Sequence, residues 1–293
     1  MSTMTIEPAA GVQSEPGPWR RGLRRLLRRR TAAVGLVIVL AMVALAVLAP
    51  WIAPFDPLAT SFTLVRKAPS GAHWFGTDEV GRDLLSRVLW GGRASLAAGV
   101  ISVSIALGLG LPFGMLAGYA GGVLDAIVSR ITDAMLAVPF LILAIALAAF
   151  LGPSLGNAMI AIGITATPIF VRLARGQVMN VRAEEYVEAA RAVGNPPVRI
   201  LLRHVLPNIL PPMIVQATLA IAAAIIAEAS LSFLGLGQQP PAPSWGSMLN
   251  TAQRFLTQAP WMAVFPGVAI FLTVFAFNLV GDGLRDALDP KAN

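Results

Sequence analysis

Between Asp133 and Arg172 the chain runs for 38 residues without a charged side chain. As a single α-helix this interval would measure about 57 Å, against a bilayer hydrocarbon core of about 30 Å. It must fold back on itself, and "LGPSLGN" at 151–157 supplies the residues of a turn. Uncharged intervals recur at Thr31–Phe55, between Arg93 and Asp125, at about Leu206–Phe233 and at about Trp261–Val280. Together with the folded pair they predict six spans, so the fold class is all-α and integral to a membrane. Composition agrees: 13% of the residues are charged, where a soluble domain carries about 25%.

Charge then orients the spans. Residues 1–19, rich in Pro, Gly, Ser and Glu, read as a disordered tail, followed by "RRGLRRLLRRR" at 20–30. The uncharged run after it is too long for the apolar core of a cleaved signal peptide, which favours an uncleaved anchor. The arginines keep the N-terminus in the cytoplasm and suit contact with anionic membrane lipid. Six spans return the C-terminus to the same side. This topology puts 16 Lys and Arg inside and 6 outside. Five of the outside bases, Arg66, Lys67, Arg82, Arg87 and Arg93, sit in the 54–93 region, against the positive-inside trend. A sequence pI near 11.1 would also fit a nucleic-acid binder. The bases, however, lie at loop ends and the N-terminus without a basic-aromatic surface, so no nucleic-acid partner is expected. The chain has no Cys, which excludes disulfides and thiolate chemistry.

The outside loop ends in "FGTDEVGRDLLSRVLWGG" at 75–92. Thr77 or Asp78 suits an N-cap, and Val80, Leu84, Leu85, Val88 and Leu89 share one face. The expectation is an interfacial amphipathic helix leading into span two, with Trp90 at headgroup level. It serves either as a simple elbow or as a contact for an external binding protein. In span two, Gly110, Gly114 and Gly118 recur at four-residue spacing, the pattern that lets a second helix approach closely.

Between spans four and five the chain changes character. Tyr186, Val187, Ala190 and Val193 form an apolar stripe, with Glu184, Glu185, Glu188 and Arg191 on the wet face. Gly194 is placed to stop this helix, and Asn195-Pro196-Pro197 prevents its continuation. A second, basic helix is expected from Pro197, carrying Arg199, Arg203 and His204, with Pro207 and Pro211-Pro212 where span five begins. An amphipathic helix on lipid is one reading. Its small Ala and Val face and acidic flank better suit a socket on another protein.

Here the residues are similar to a known pattern. Glu188-Ala189-Ala190, Gly194 and then Leu206-Pro207 resemble the EAA loop of ABC importer permeases, with His204 departing from the usual Ile. "FGTDEVGRDLLSRVLWGGRASL" (75–96), "AEASLSFLGLG" (227–237), "PSWGSML" (243–249) and "GDGLRDALDP" (281–290) extend the resemblance to the C-type permease of dipeptide, oligopeptide and nickel importers. It implies a type I ABC importer (MetI-like) permease fold. The expected segments are a basic N-terminus (1–30), a first span with periplasmic loop and interfacial helix (31–93), and a permease core (94–293) holding the coupling loop 182–206. It also implies a second homologous permease subunit, two ABC ATPase subunits and an external substrate-binding protein. ATPase docking then falls to Glu184, Glu185, Tyr186, Glu188, Ala189, Ala190, Arg191, Gly194, Arg199, Leu206 and Pro207.

Chemistry of its own is sparse in this chain. The only lysines, Lys67 and Lys291, follow no Gly-rich phosphate loop. No cofactor is therefore expected here, with ATP and Mg2+ held by partner subunits. His73 and His204 stand without a ligand cluster, so no metal site is expected. Gln216, Glu228 and Asn278 are candidate translocation-path residues. Glu228 lies about 33 Å along a helix from Leu206, near the outer interface, where a hydrated or hydrogen-bonded acid is the alternative. Peptides are the expected cargo. Nickel or another small solute, or an ion-coupled secondary transporter, are the alternatives.

Overall fold

The computed structural model describes residues 29–288; the expected disordered tail and most of the arginine cluster lie outside them. The described chain is all-helical. Its long helices are α1 (Arg30–Ile52), α2 (Leu84–Ala120), α5 (Leu155–Arg182), α8 (Leu206–Phe233) and α10 (Trp261–Leu288). Each is long and apolar enough to cross a membrane. Between α2 and α5 run α3 (Gly122–Ala137) and α4 (Phe140–Leu151), bent by 94° against each other; taken together as one broken span they bring the five long helices to the expected six. The bend falls at Val138-Pro139. Proline lacks the N–H a helix needs and forces its predecessor into extended backbone, and Val138 adopts φ −89°, ψ 132°. The turn expected at 151–157 is present: Gly152 takes φ +91°, and Ser154 caps α5 by accepting from Asn157 N at 3.1 Å. Arg29 pairs with Asp286, so both ends of the described chain lie on one side of the bundle.

Two expectations are corrected. The amphipathic segment and span two are one helix, α2, of 37 residues. Its cap is Asp83, not Thr77 or Asp78. The Asp83 carboxylate accepts from Ser86 N at 2.8 Å and Ser86 Oγ at 2.7 Å. Thr77 and Asp78 are buried in the loop, where Asp78 accepts from Arg82 Nε at 2.6 Å. Gly91-Gly92 stand at the junction of the interfacial turns and the span, but both are buried against Trp245 and its neighbours, so packing overrides their low helix propensity and one helix continues through both. Likewise, the basic helix expected from Pro197 is not separate from span five. The short helix α7 (Pro197–Ile200) passes through a π-helical turn, Leu201–Val205, directly into α8. The Leu206 N–H reaches back to Leu201 O, a five-residue hydrogen bond. The backbone ladder has thus shifted before Pro207, whose missing N–H falls in the first turn of α8, where proline is tolerated.

Packing centres on α2 against α5. A Cβ at Gly114 would stand 2.6 Å from Val171 O, and one at Gly118 would stand 2.8 Å from Arg175 O. The glycine stripe is therefore where two backbones meet. Phe170, Ile162, Val103, Met213 and Leu231 fill the adjoining core. Helix α1 lies outside this core against α10, with Gly35 under Leu279. A short helix not anticipated from sequence, α9 (Trp245–Ala252), packs between α8 and α10.

Candidate functional site

The segment after α5 builds a short exposed helix, α6 (Glu185–Ala192). Its stop is a Schellman arrangement: Gly194 has φ +80°, its N–H donates to Arg191 O at 3.0 Å, and Asn195 N donates to Ala190 O at 3.2 Å. Glycine is suited to that left-handed position because it carries no Cβ. Only half of the expected apolar stripe faces inward. Val187 and Ala190 are buried, while Tyr186 is 44% and Val193 78% exposed. Eight residues make barely two turns, so a stripe one residue wide is all that the bundle covers. Val187 packs with Met115, Val178, Ile200 and Val205.

What remains outside is a surface of two kinds. Glu184, Glu185 and Glu188 are exposed, and among the described residues no ion pair engages them. Beside them stand Ala189, Val193, Val198 and Leu202, the last two 65% and 58% exposed. Tyr186 accepts from Asn208 Nδ2 at 3.0 Å; partial burial, then the nearby Glu184 charge, raise its phenol above the usual range. Arg199 donates to Asn195 Oδ1 at 3.4 Å, and the Arg191 guanidinium lies 5.9 Å from the Tyr119 ring centre. Leu206 packs on the buried layer, whereas Pro207 is exposed. Thus the expected docking residues occupy one contiguous region, with Ala190 turned inward and most others outward.

The three candidate path residues do not come together. Glu228 has no exposed surface. Its carboxylate accepts from Ser95 Oγ at 2.9 Å and Ser232 Oγ at 2.6 Å. Each of these hydroxyls in turn accepts a backbone N–H: Trp245 N at 3.3 Å and Gln238 N at 3.0 Å. This directs both hydroxyl protons toward the carboxylate, so Glu228 ties α2, α8 and the start of α9 together. Gln216 is half-buried on α8, and Asn278 is exposed on α10 with its amide on Val274 O at 2.9 Å.

Sequence reasoning missed a polar knot at the loop end. Arg82 bonds Asp78 and Glu79, and Arg87 approaches Asp78 at 3.3 Å while donating to Pro57 O at 2.9 Å. Arg66 donates to Gln258 Oε1 at 2.9 Å, and Arg93 lies 5.0 Å from the Trp90 ring centre. The bases that broke the charge trend are thus largely ties within the loop and to its neighbours. The only sequence signal was the crowding of Asp and Glu among them. A polar cavity of about 200 Å³ opens there, lined by Glu79, Arg82, Gln238, Gln239 and Asn250 among others. Burial, then the neighbouring Asp78, push the Glu79 carboxyl above the usual range.

Comparison with known proteins agrees with this architecture. Residues 110–293 match the family described as binding-protein-dependent transport system inner membrane component. Residues 17–69 match the N-terminal TM domain of oligopeptide transport permease C. The chain is 48% identical over 292 residues to the dipeptide transport system permease protein DppC of Alkalihalophilus pseudofirmus, covering 98% of this chain and 96% of that protein. It is 50% identical over 262 residues to the probable D,D-dipeptide transport system permease protein DdpC of Escherichia coli, covering 89% and 87%. With the glutathione transport system permease protein GsiD of Pectobacterium atrosepticum it shares 46% over 285 residues, covering 97% and 95%. The fold is similar to a chain of the inward-facing MetNI methionine ABC transporter, with TM-score 0.56 and 22% identity over 69% of this chain and 96% of that one. The helices, the exposed segment after α5 and these matches place the chain in the family of binding-protein-dependent transport system inner membrane components: it is a multi-pass permease of an ABC importer, a transporter subunit and not an enzyme.

Proposed function

We propose that this permease carries short peptides inward across the cytoplasmic membrane, and that residues 184–202 are the surface by which ATPase subunits drive it. The surface around α6 carries the reading. Three exposed carboxylates beside exposed Val193, Val198 and Leu202 form a charged rim around an apolar knob, the composition of a protein–protein contact. Both termini and α6 face the cytoplasm in this reading, as the excess of arginine at that end favours. Two ATPases hold ATP and Mg2+, a second homologous permease completes the path, and an external binding protein delivers cargo at the loop end. The cargo follows from relatives whose names specify dipeptides, D,D-dipeptides and glutathione, all short peptides. Transport proceeds by alternating access, with ATP-driven closure of the ATPases moving α6.

The test is uptake of labelled dipeptide by the reconstituted complex. Glu188→Arg and Gly194→Pro should separate ATP hydrolysis from uptake while the chain stays in the membrane. Wild-type uptake in both variants would overturn the docking role. Uptake by this chain alone, driven by a proton gradient and indifferent to ATP, would establish an ion-coupled transporter instead.

A further inference from the structure

Tyr119 stands in the last turn of α2, far in sequence from the segment proposed to dock. Contacts from two other helices converge on it. Arg182, the last residue of α5, donates from Nη1 to Tyr119 O at 2.7 Å, with Gly118 O at 3.5 Å. A cation there satisfies carbonyls the helix leaves open and opposes its dipole. The Tyr119 side chain packs on the layer that holds Val187 and Ala190, the two buried residues of α6. From α6 itself, the Arg191 guanidinium lies 5.9 Å from the ring centre, within cation–π range. Helix α6 is continuous in sequence only with the segments after α5 and before α7, yet in space it bears on α2, where Met115 shares its buried layer and Tyr119 adds the contact with Arg191.

Helix α2 is suited to carry a displacement onward. It is unbroken for 37 residues. Along its length it presses its glycine stripe into α5 and holds Ser95 against Glu228, and it ends in the Asp83 cap and the Arg87 tie at the loop end. A rigid helix seated in a close-packed interior moves as a body.

We propose that Tyr119 is a positioning residue through which α6 acts on α2, so that a load applied to 184–202 reaches the loop end along α2 as well as through α5 and α8. The proposal rests on the docking reading above. Its test is the ratio of peptide taken up to ATP hydrolysed in the reconstituted complex with loaded binding protein. Tyr119→Leu keeps an apolar side chain but loses the ring face. Arg191→Gln loses the cation and leaves Tyr119 packed.

Each should lower the ratio by about tenfold, an ordinary size for coupling between sites; co-purified ATPase should be unchanged in Tyr119→Leu, while for Arg191→Gln, which lies in the docking surface, the ratio is read on the complexes that retain ATPase. The double variant should fall no further than either single, because both act on one contact. Tyr119→Phe should keep the wild-type ratio. Should Tyr119→Leu fail to assemble, Tyr119→Phe and Arg191→Gln decide the matter, the ratio holding in the first and falling in the second. An unchanged ratio, additive losses, or uptake and hydrolysis falling in equal proportion would overturn the proposal. Failure of the docking reading looks different: ATPase co-purification would then survive Glu188→Arg and Val193→Asp whatever the ratio does.

Discussion

Gly114→Ala adds one methyl group at the α2–α5 seam and should destabilise the bundle, although alanine is the better helix former. The new Cβ would stand 2.6 Å from Val171 O and 2.7 Å from Ala174 Cβ. Restoring ordinary contact requires the helices to part by roughly 0.8 Å. The seam resists, because a Cβ added at Gly118 or Gly163 would likewise fall within 2.8 Å of opposing atoms along the same line. Overpacking of this kind costs about 1–3 kcal/mol, against a propensity gain of up to about 1 kcal/mol. Gly108→Ala on the same helix isolates the two effects, since nothing lies within 4 Å of its added Cβ. It should gain the propensity term alone. The two variants should therefore differ by about 1–3 kcal/mol, or several degrees in thermal unfolding of the detergent-solubilised protein. Equal midpoints for both would refute the claim that two backbones meet at Gly114.

Glu228→Ala leaves buried serine hydroxyls without their acceptor and should cost about 2–4 kcal/mol; proteolysis of the 234–252 segment should accelerate, with Glu228→Gln intermediate. Gly194→Ala meets no neighbour within 4 Å but must adopt φ +80°, so it should weaken the α6 stop by about 1 kcal/mol, read as faster amide exchange at Gly194 and Asn195. Glu79, whose carboxyl is raised by burial and Asp78, binds its proton more tightly folded than unfolded. Its contribution to stability is most favourable below the unfolded carboxylate pKa and declines as pH rises through the folded one. Glu79→Gln should remove that part of the pH dependence in thermal melts from acid to neutral pH, and an identical profile in both proteins would count against it.

Local signals were legible wherever one short stretch decides the outcome. Residues 152–154 turn because Gly, Pro and Ser stand there together, and Gly194 stops α6 because its left-handed backbone favours glycine. The glycine spacing at 110, 114 and 118 announced a close helix partner, though not that it would be α5. The α6 stripe was half legible. Periodicity put Tyr186 and Val193 on the inner face, but how much of a two-turn helix is covered depends on what packs above it.

The amino-acid sequence by itself determined that the chain crosses a membrane, where it turns back, and which segment between spans stands out as short, charged and exposed. These follow from charge-free length, from backbone conformations open to few residues, and from a family pattern written in consecutive positions. Only the tertiary structure decided that Glu228 is a tie, that Arg66, Arg82 and Arg87 are partnered, that α2 runs unbroken from Leu84, and that Tyr119 meets α6. Each depends on partners far apart in the chain. Ser95 and Glu228 are separated by 133 positions, and no local propensity specifies which distant hydroxyl a buried carboxylate will find.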